Sequence, residues 1–88
     1  MGRQPRLRPK HLAAKLLAVR RMLGISQIQM AKLLGREFYH RVSEYELGRR
    51  EPNLLLLLRY ARAANVTLES LIDDDMDLTV SVTLYHHG

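Results

Sequence analysis

The chain has 88 residues, of which 47% are hydrophobic, and it contains no Cys and no Trp. This length fits one small domain, and the lack of Cys excludes both a disulfide framework and a thiolate zinc site. All 14 Lys and Arg precede residue 63, together with only four of the nine acidic residues, so residues 1–62 carry +10 and residues 63–88 carry −5. A basic surface of this kind attracts a polyanion, either nucleic acid or an anionic membrane.

A membrane partner is not expected. The longest uninterrupted apolar run covers residues 54–58, whereas a membrane span needs about 20 residues. The acid-free stretch before residue 37 has a single Ser and carries helix signals, which disfavours a transit peptide. We therefore expect a soluble chain in a reducing cytoplasm.

The first helix is predicted by apolar spacing. Leu12, Leu16, Val19 and Leu23 recur on one face of a helix over about residues 10–23, and Gly24 suits its C-terminal cap.

The second helix has the best-specified start in the chain. Ser26 and Gln29 have the spacing of a capping box, in which each side chain bonds the other residue's backbone N–H. This predicts a helix that begins at Gln27 and ends near Gly35.

Three further helices follow, and the sequence signals at their starts differ in strength. The third is expected at about residues 38–47 and lacks a clear N-terminal cap. Asn53 is a sound cap for a fourth helix at 54–64, and Thr67 can cap a short fifth helix at 68–72.

The fourth helix carries more leucine than one core stripe requires. The stripe expected to face the core consists of Leu54, Leu57, Leu58 and Ala61. Surplus apolar side chains on a soluble chain usually mark an interface, so we expect Leu55, Leu56 and Tyr60 to be covered by a sister subunit or by the chain's own C-terminal segment.

The C-terminal segment, residues 73–88, starts with acidic residues and continues with a period-2 pattern. Leu78, Val80, Val82 and Leu84 alternate with polar or aromatic neighbours, which predicts a β-strand. A lone strand leaves its backbone groups unpaired, and the sequence offers no second strand. We expect it to pair with the same strand of another subunit in a homodimer, the alternative being a flexible tail.

Several short motifs in order carry a family resemblance over residues 16–72. They are Val19-Arg20, Gly24-Ile25-Ser26-Gln27, Met30-Ala31, Leu34-Gly35, Val42-Ser43-Glu44-Tyr45-Glu46-Leu47-Gly48, Arg50-Glu51-Pro52-Asn53 and Asn65-Val66-Thr67-Leu68. Their order and separations resemble the helix-turn-helix domain of the phage lambda repressor and Cro-like family, also called the Xre family.

The resemblance implies a mostly α, five-helix DNA-binding domain at residues 11–72. The residues before it, with Arg3, Arg6, Arg8 and Lys10 interrupted by Pro5 and Pro9, indicate an extended basic arm at 1–10. It also implies a sequence-specific transcriptional regulator, most simply a repressor, that binds a palindromic operator on double-stranded DNA as a homodimer. Such a protein would act in the cytoplasm of a bacterium or with its phage, associated with the nucleoid.

The third helix would be the recognition helix of this family. The residues expected to contact bases are Tyr39, His40, Arg41, Ser43 and Glu44. Phe38 or Tyr39 could instead pack into the core. The chain also has one residue more than the family's usual pattern between Gly35 and Val42, so the register of the base contacts stays open.

Phosphate contacts are expected from residues that flank the recognition helix. The expected set is Ser26, Gln27, Lys32, Arg36, Arg49 and Arg50. The basic arm could follow the DNA backbone or enter the minor groove, or could be a disordered solubilising leader. The resemblance further implies a structural ion pair between Arg20 and Glu46.

The expected homodimer interface combines the surplus side chains of the fourth helix with the C-terminal strand. Its residues are Leu55, Leu56, Tyr60, Leu78, Val80, Val82 and Leu84.

Catalysis is not expected. The sequence lacks a phosphate-binding Gly loop and a nucleophile–base pattern, and the adjacent His86 and His87 suggest at most adventitious metal binding. We expect no metal site and no cofactor. The alternative function is that of an antitoxin-like or other interaction module whose C-terminal segment captures a protein partner.

Overall fold

The computed structural model describes residues 8–35 and 39–81. These residues form five helices in chain order: α1 (Leu12–Leu23), α2 (Gln27–Leu33), α3 (Tyr39–Glu46), α4 (Leu54–Ala64) and α5 (Leu68–Ile72). The expected five-helix, mostly α fold is confirmed. The first helix starts two residues later than the apolar spacing suggests, and residue 38 lies outside the described residues.

Side-chain caps fix the starts of three helices. Ser26 and Gln29 form the full capping box at α2: the Ser26 Oγ accepts from the Gln29 N–H at 3.1 Å, and the Gln29 Oε1 accepts from the Ser26 N–H at 2.9 Å. Asn53 and Thr67 each accept from the backbone N–H three residues later, which starts α4 and α5 where the sequence predicts. Caps of this kind satisfy helix donors that otherwise have no partner.

The core forms around α1. This helix packs against α3, α4 and α5, while α2 packs against α3. The largest fully buried side chains of the core are Leu16, Val19, Met30, Leu34, Val42, Leu56, Tyr60 and Leu71. Because α3 is held by α1 and α2 on one side, its opposite side faces outward.

The face of α4 that enters the core differs from the prediction. The buried side chains are Leu56, Leu57, Tyr60 and Ala61. Five consecutive leucines fit more than one helical stripe, so their spacing alone does not select a face. Tyr60 fixes the choice: its ring packs edge-on against Tyr45 of α3, with ring centroids 6.5 Å apart.

Two corrections follow for α4. Leu56 and Tyr60, expected at a subunit interface, are buried within the chain itself, with exposed fractions of 1% and 0%. Leu54, expected in the core, is instead 69% exposed, and its neighbour Leu55 is 58% exposed. The unpaired apolar surface of α4 is therefore at its first turn.

The acidic segment after α5 is fastened to α1 by Lys15. The Lys15 Nζ donates to the backbone carbonyls of Ser70, Asp73 and Met76 at 2.7–2.8 Å. An ammonium group has three N–H donors, and here each finds a carbonyl. The cation thus caps the C-terminal end of α5 and fixes the turn that follows it.

Asp74 makes a second attachment at the start of α1. Its two carboxylate oxygens accept from the backbone N–H groups of Lys10 and His11 at 2.9 and 3.0 Å. The acidic segment therefore lies against the chain immediately before the first helix.

Residues 79–81 pair with residues 65–67 of the same chain. The Thr67 N–H donates to the Thr79 carbonyl at 2.9 Å, the Ser81 N–H donates to the Asn65 carbonyl at 2.8 Å, and an antiparallel bridge lies between them. Asn65 makes this possible because it ends α4 in the left-handed conformation, at φ 56°. The expectation that the chain offers no pairing partner was wrong for these residues.

Within the described residues, the predicted C-terminal β-strand does not form. The contact at residues 79–81 is an isolated bridge, and Val82 and Leu84 lie outside the described residues. Leu78 packs partly buried against the core, whereas Val80 is exposed.

Among the described residues, the helices are too short or too polar to cross a membrane.

Candidate nucleic-acid interface

The helix α3 has an apolar inner face and a polar outer face. Its own residues Val42 and Tyr45 are buried on the inner face. The five side chains expected to contact bases divide by exposure: Tyr39 and His40 are exposed, whereas Arg41, Ser43 and Glu44 are partly exposed. All five lie on one eight-residue helix, and Tyr39 does not enter the core.

The first turn of α3 carries two aromatic groups in contact. The rings of Tyr39 and His40 meet edge-on, with centroids 6.2 Å apart. Each ring combines an apolar body with a polar atom that can bond a base edge or a phosphate. Phe38, the other candidate for core packing, lies outside the described residues.

Glu44 connects α3 to the loop that follows it. Its Oε1 lies 3.9 Å from the Arg41 Nη1 and 3.3 Å from the Arg50 Nε. The carboxylate therefore holds two guanidinium groups, one on the helix and one in the loop, on the same side of the molecule. Each of the three groups keeps at least a third of its side chain exposed, so all remain accessible to a ligand.

The end of α3 is anchored to α1 by Arg20 and Glu46. The Arg20 Nε lies 2.6 Å from the Glu46 Oε2, and the Arg20 Nη2 lies 3.0 Å from the Glu46 Oε1. The side chains are 18% and 5% exposed, so this bidentate pair is largely removed from water. The hydrogen bond with Glu46 raises the pKa of Arg20. The structure thus brings together the two residues that the resemblance paired.

Two further groups join this pair. The Arg20 Nη1 donates to the Ile25 carbonyl at 3.0 Å, and the Gln27 Nε2 donates to the Glu46 Oε1 at 3.1 Å. Gln27 begins α2, so the network links α1, α2 and α3 at one point. A rigid attachment of this kind sets the angle at which α3 leaves the body of the domain.

The residues expected to contact phosphates differ in how exposed they are. Lys32, Arg49 and Arg50 are exposed, Ser26 is exposed with its hydroxyl engaged in the α2 cap, and Arg36 lies outside the described residues. Gln27 is partly buried and held by Glu46. The exposed cations therefore come from α2 and from the loop after α3.

Arg59 holds the end of α2 in place, a role that the sequence pattern did not indicate. Its Nη1 donates to the Leu34 carbonyl at 2.8 Å, which caps the end of α2 immediately before the turn into α3. The same guanidinium lies 2.8 Å from where a Cβ on Gly35 would stand. Gly35 has a φ of 73°, so both backbone conformation and space favour glycine there. An Arg on the polar side of α4 gives no sequence signal for this contact.

The described residues include no group of three or more His, Asp or Glu side chains arranged to hold a metal ion.

Comparison with known proteins gives two matches. A family model described as helix-turn-helix matches residues 16–71. Among solved structures, the chain is similar to the P22 c2 repressor protein, crystallised in complex with synthetic operator 9T in the presence of Tl+. The two chains are 26% identical with a TM-score of 0.66, and the match covers 73% of this chain and 96% of that chain. No curated protein sequence matches significantly.

Proposed function

The chain belongs to the helix-turn-helix family, and from this premise we propose that it is a sequence-specific DNA-binding transcriptional regulator. The observation that carries the proposal is α3: a helix anchored at its end by Arg20 and Glu46, with its polar residues turned outward. The similar P22 c2 repressor is bound to an operator, which supports the same use of the fold here. In this proposal α3 enters the major groove.

The outer residues of α3 have the chemistry to read base edges. A guanidinium can donate two bonds to guanine N7 and O6, a carboxylate can accept from cytosine N4, and an imidazole can bond a purine N7. Arg41, Glu44 and His40 would fill these roles, with Tyr39 and Ser43 beside them. The 3.9 Å contact between Arg41 and Glu44 pre-orients both groups before DNA arrives.

The phosphate contacts are proposed for the flanking cations. Arg49 and Arg50 follow α3 directly, and Lys32 is exposed on α2. Ser26 and Gln27 stand at the start of α2, where Gln27 is already oriented by its bond to Glu46. Contacts of this type set the orientation of the protein on the duplex without reading its sequence.

The regulator is proposed to bind a palindromic operator as a homodimer and to repress by covering a promoter. Exposed apolar side chains support a subunit contact, among them Leu54 and Leu55 at the first turn of α4 and Val80. Association would remove them from water. This function implies a cytoplasmic location on the nucleoid.

Selection of duplexes from a random pool tests the proposal. We expect enrichment of a site with two related half-sites one or more helical turns apart. Arg41→Ala should relax the preference at one position in each half-site and cost about 1–3 kcal/mol there. The matched control is Lys32→Ala, which should weaken binding to all sequences alike. Failure to enrich any sequence would overturn the proposal.

The interaction-module alternative has less support. Residues 73–81 use their backbone groups within the chain, through Lys15 and through the bridge to residues 65–67. A partner that captured this segment would first have to displace those contacts.

A further inference from the structure

The point where the basic arm enters α1 is held by a carboxylate from the other end of the chain. Asp74 accepts from two consecutive backbone N–H groups, those of Lys10 and His11, at 2.9 and 3.0 Å. These two bonds lower the pKa of Asp74. A bidentate contact fixes both the position and the direction of the chain at residues 10 and 11.

The carboxylate is itself held in place. Lys15 donates to the carbonyls of Ser70, Asp73 and Met76, which lie on both sides of Asp74 in the sequence. Lys15 and Asp74 therefore make complementary contacts. The Lys15 cation binds backbone carbonyls near Asp74, and the Asp74 anion binds backbone amides just before α1. Five hydrogen bonds thus join the start of α1 to the C-terminal part of the domain, one of them to α5 and four to the segment after it.

This attachment puts the base of the arm beside the loop that follows α3. Arg8 and Lys10 line a depression of about 150 Å³ together with Gly48 and Arg50. Arg50 is in turn 3.3 Å from Glu44 on the outer face of α3. Three cations from two distant segments thus surround one depression next to the recognition helix, and Glu51 also lines it.

We propose that Asp74 is a positioning residue for DNA binding, which holds the base of the arm so that Arg8 and Lys10 reach, together with Arg50, the backbone phosphates that flank α3. This inference rests on the proposed DNA-binding function. It gives the acidic segment a role at the DNA face rather than one remote from it.

The physical reason is the cost of ordering. An unanchored basic arm loses conformational freedom each time it binds a phosphate, whereas an arm whose base is fixed has lost part of that freedom already. Asp74 would by itself repel the duplex. Its charge is partly offset by the two amide N–H groups that it binds.

The test compares Asp74→Ala with Asp75→Ala in the full chain. Asp75 is exposed and adjacent, so its substitution removes the same charge from the same segment. Binding to the selected duplex is measured over a range of salt concentrations. We expect Asp75→Ala to bind as wild type or slightly tighter. We expect Asp74→Ala to bind about tenfold more weakly and to lose about 1–2 from the slope of log K against log salt, the equivalent of one or two phosphate contacts.

Repeating the substitution in a variant without the arm cations distinguishes a positioning role of Asp74 from a role in folding. In an Arg8→Ala/Lys10→Ala variant, Asp74→Ala should cause little further loss of affinity, because the cations that it positions are absent. An equal loss in both backgrounds would mean that Asp74 acts only through the fold, and would overturn the inference. Should Asp74→Ala unfold, as judged by circular dichroism, Asp74→Asn keeps one acceptor oxygen and should lose about half as much of the slope.

The outcomes distinguish the two proposals. A wild-type chain that binds no duplex would overturn the DNA-binding function and this inference with it. A wild-type chain that binds, with Asp74→Ala behaving as Asp75→Ala, would overturn the positioning role alone.

Discussion

Two polar attachments fasten distant segments to α1, one near each end of that helix. Toward its C-terminal end, Arg20 binds Glu46 of α3, side chain to side chain, in a largely buried pair. Toward its N-terminal end, Lys15 binds backbone carbonyls of α5 and of the segment after it, and Asp74 of that segment binds backbone amides just before α1. The first attachment orients α3, and the second holds the acidic segment against residues 10 and 11.

The difference lies in what is left when a partner is removed. Breaking a buried pair of charges leaves the other charge desolvated, which costs several kcal/mol. Breaking an attachment to backbone groups leaves neutral amides and carbonyls without a partner rather than an unpaired charge, and the cost is smaller. We therefore expect a larger loss of stability at the Arg20 end of α1 than at the end held by Lys15 and Asp74.

The largest effect is expected at Glu46. Glu46→Met should lower the free energy of unfolding by about 2–3 kcal/mol, because Arg20 then loses its bidentate partner in a site only 18% exposed. Urea denaturation monitored by circular dichroism measures this.

A double-mutant cycle with Arg20→Met sharpens the same point. The double variant should be destabilised by less than the sum of the two single variants, since no unpaired charge remains. Glu44→Met is the control, a carboxylate on the same helix with more than a third of its side chain exposed. Additive effects would contradict the structural role of the ion pair.

The next largest effect is expected at Lys15. Lys15→Met keeps the apolar stem but removes three hydrogen bonds to carbonyls, and should cost about 2 kcal/mol. Lys32→Met, an exposed lysine on α2, should change stability little. Thermal unfolding of both variants checks the contrast, and equal effects would mean that the carbonyl contacts contribute nothing.

A smaller effect of opposite sign is expected at Tyr60, whose ring is fully buried and whose hydroxyl has no hydrogen-bond partner among the described residues. Tyr60→Phe should raise stability by about 1 kcal/mol, because it removes a desolvated polar atom and keeps the ring contact with Tyr45.

The dependence of stability on alkaline pH is a second test of the burial of Tyr60. Burial, and then the charge of Glu46, raise the pKa of Tyr60 in the folded chain. The neutral phenol is therefore favoured by folding, and stability should fall as the pH rises above about 10, the ordinary tyrosine pKa. Tyr60→Phe should be less sensitive to this range in pH-dependent denaturation. An unchanged alkaline profile would contradict the burial argument.

The smallest effect on stability is expected at Asp74, a partly exposed carboxylate. Its hydrogen bonds to the backbone of Lys10 and His11 lower its pKa in the folded chain. The stabilisation is therefore present above the ordinary aspartate pKa of about 4 and is lost as the pH falls through the lower, folded value. Wild type should lose stability over this acid range more steeply than Asp74→Ala, whereas Asp75→Ala should follow wild type.

The helix order was predictable because its signals are local. Ser26, Asn53 and Thr67 each cap a helix within three residues of themselves, so the starts of α2, α4 and α5 could be read from short stretches of sequence. The lambda repressor-like resemblance was likewise readable from motif order, and the family match over residues 16–71 confirms it. The same motifs suggested Arg20 and Glu46 as partners.

The face of α4 could not be predicted in the same way. Leucine at five consecutive positions satisfies several stripes, and only the packing of Tyr60 against Tyr45, 15 residues away in sequence, selects one of them. The contact from Arg59 to the end of α2 was also unpredictable, because its acceptor is a backbone carbonyl.

The sequence by itself determined five helices, their caps, the family and the asymmetry of charge between residues 1–62 and 63–88. Only the tertiary structure decided what the acidic end touches. Capping boxes and helical stripes act within a few residues, and their residue types reveal them. Asp74 and Lys15 bind amides and carbonyls about 55–64 residues away, and every residue carries such groups. Which of those groups come within reach depends on how α1 and α5 pack.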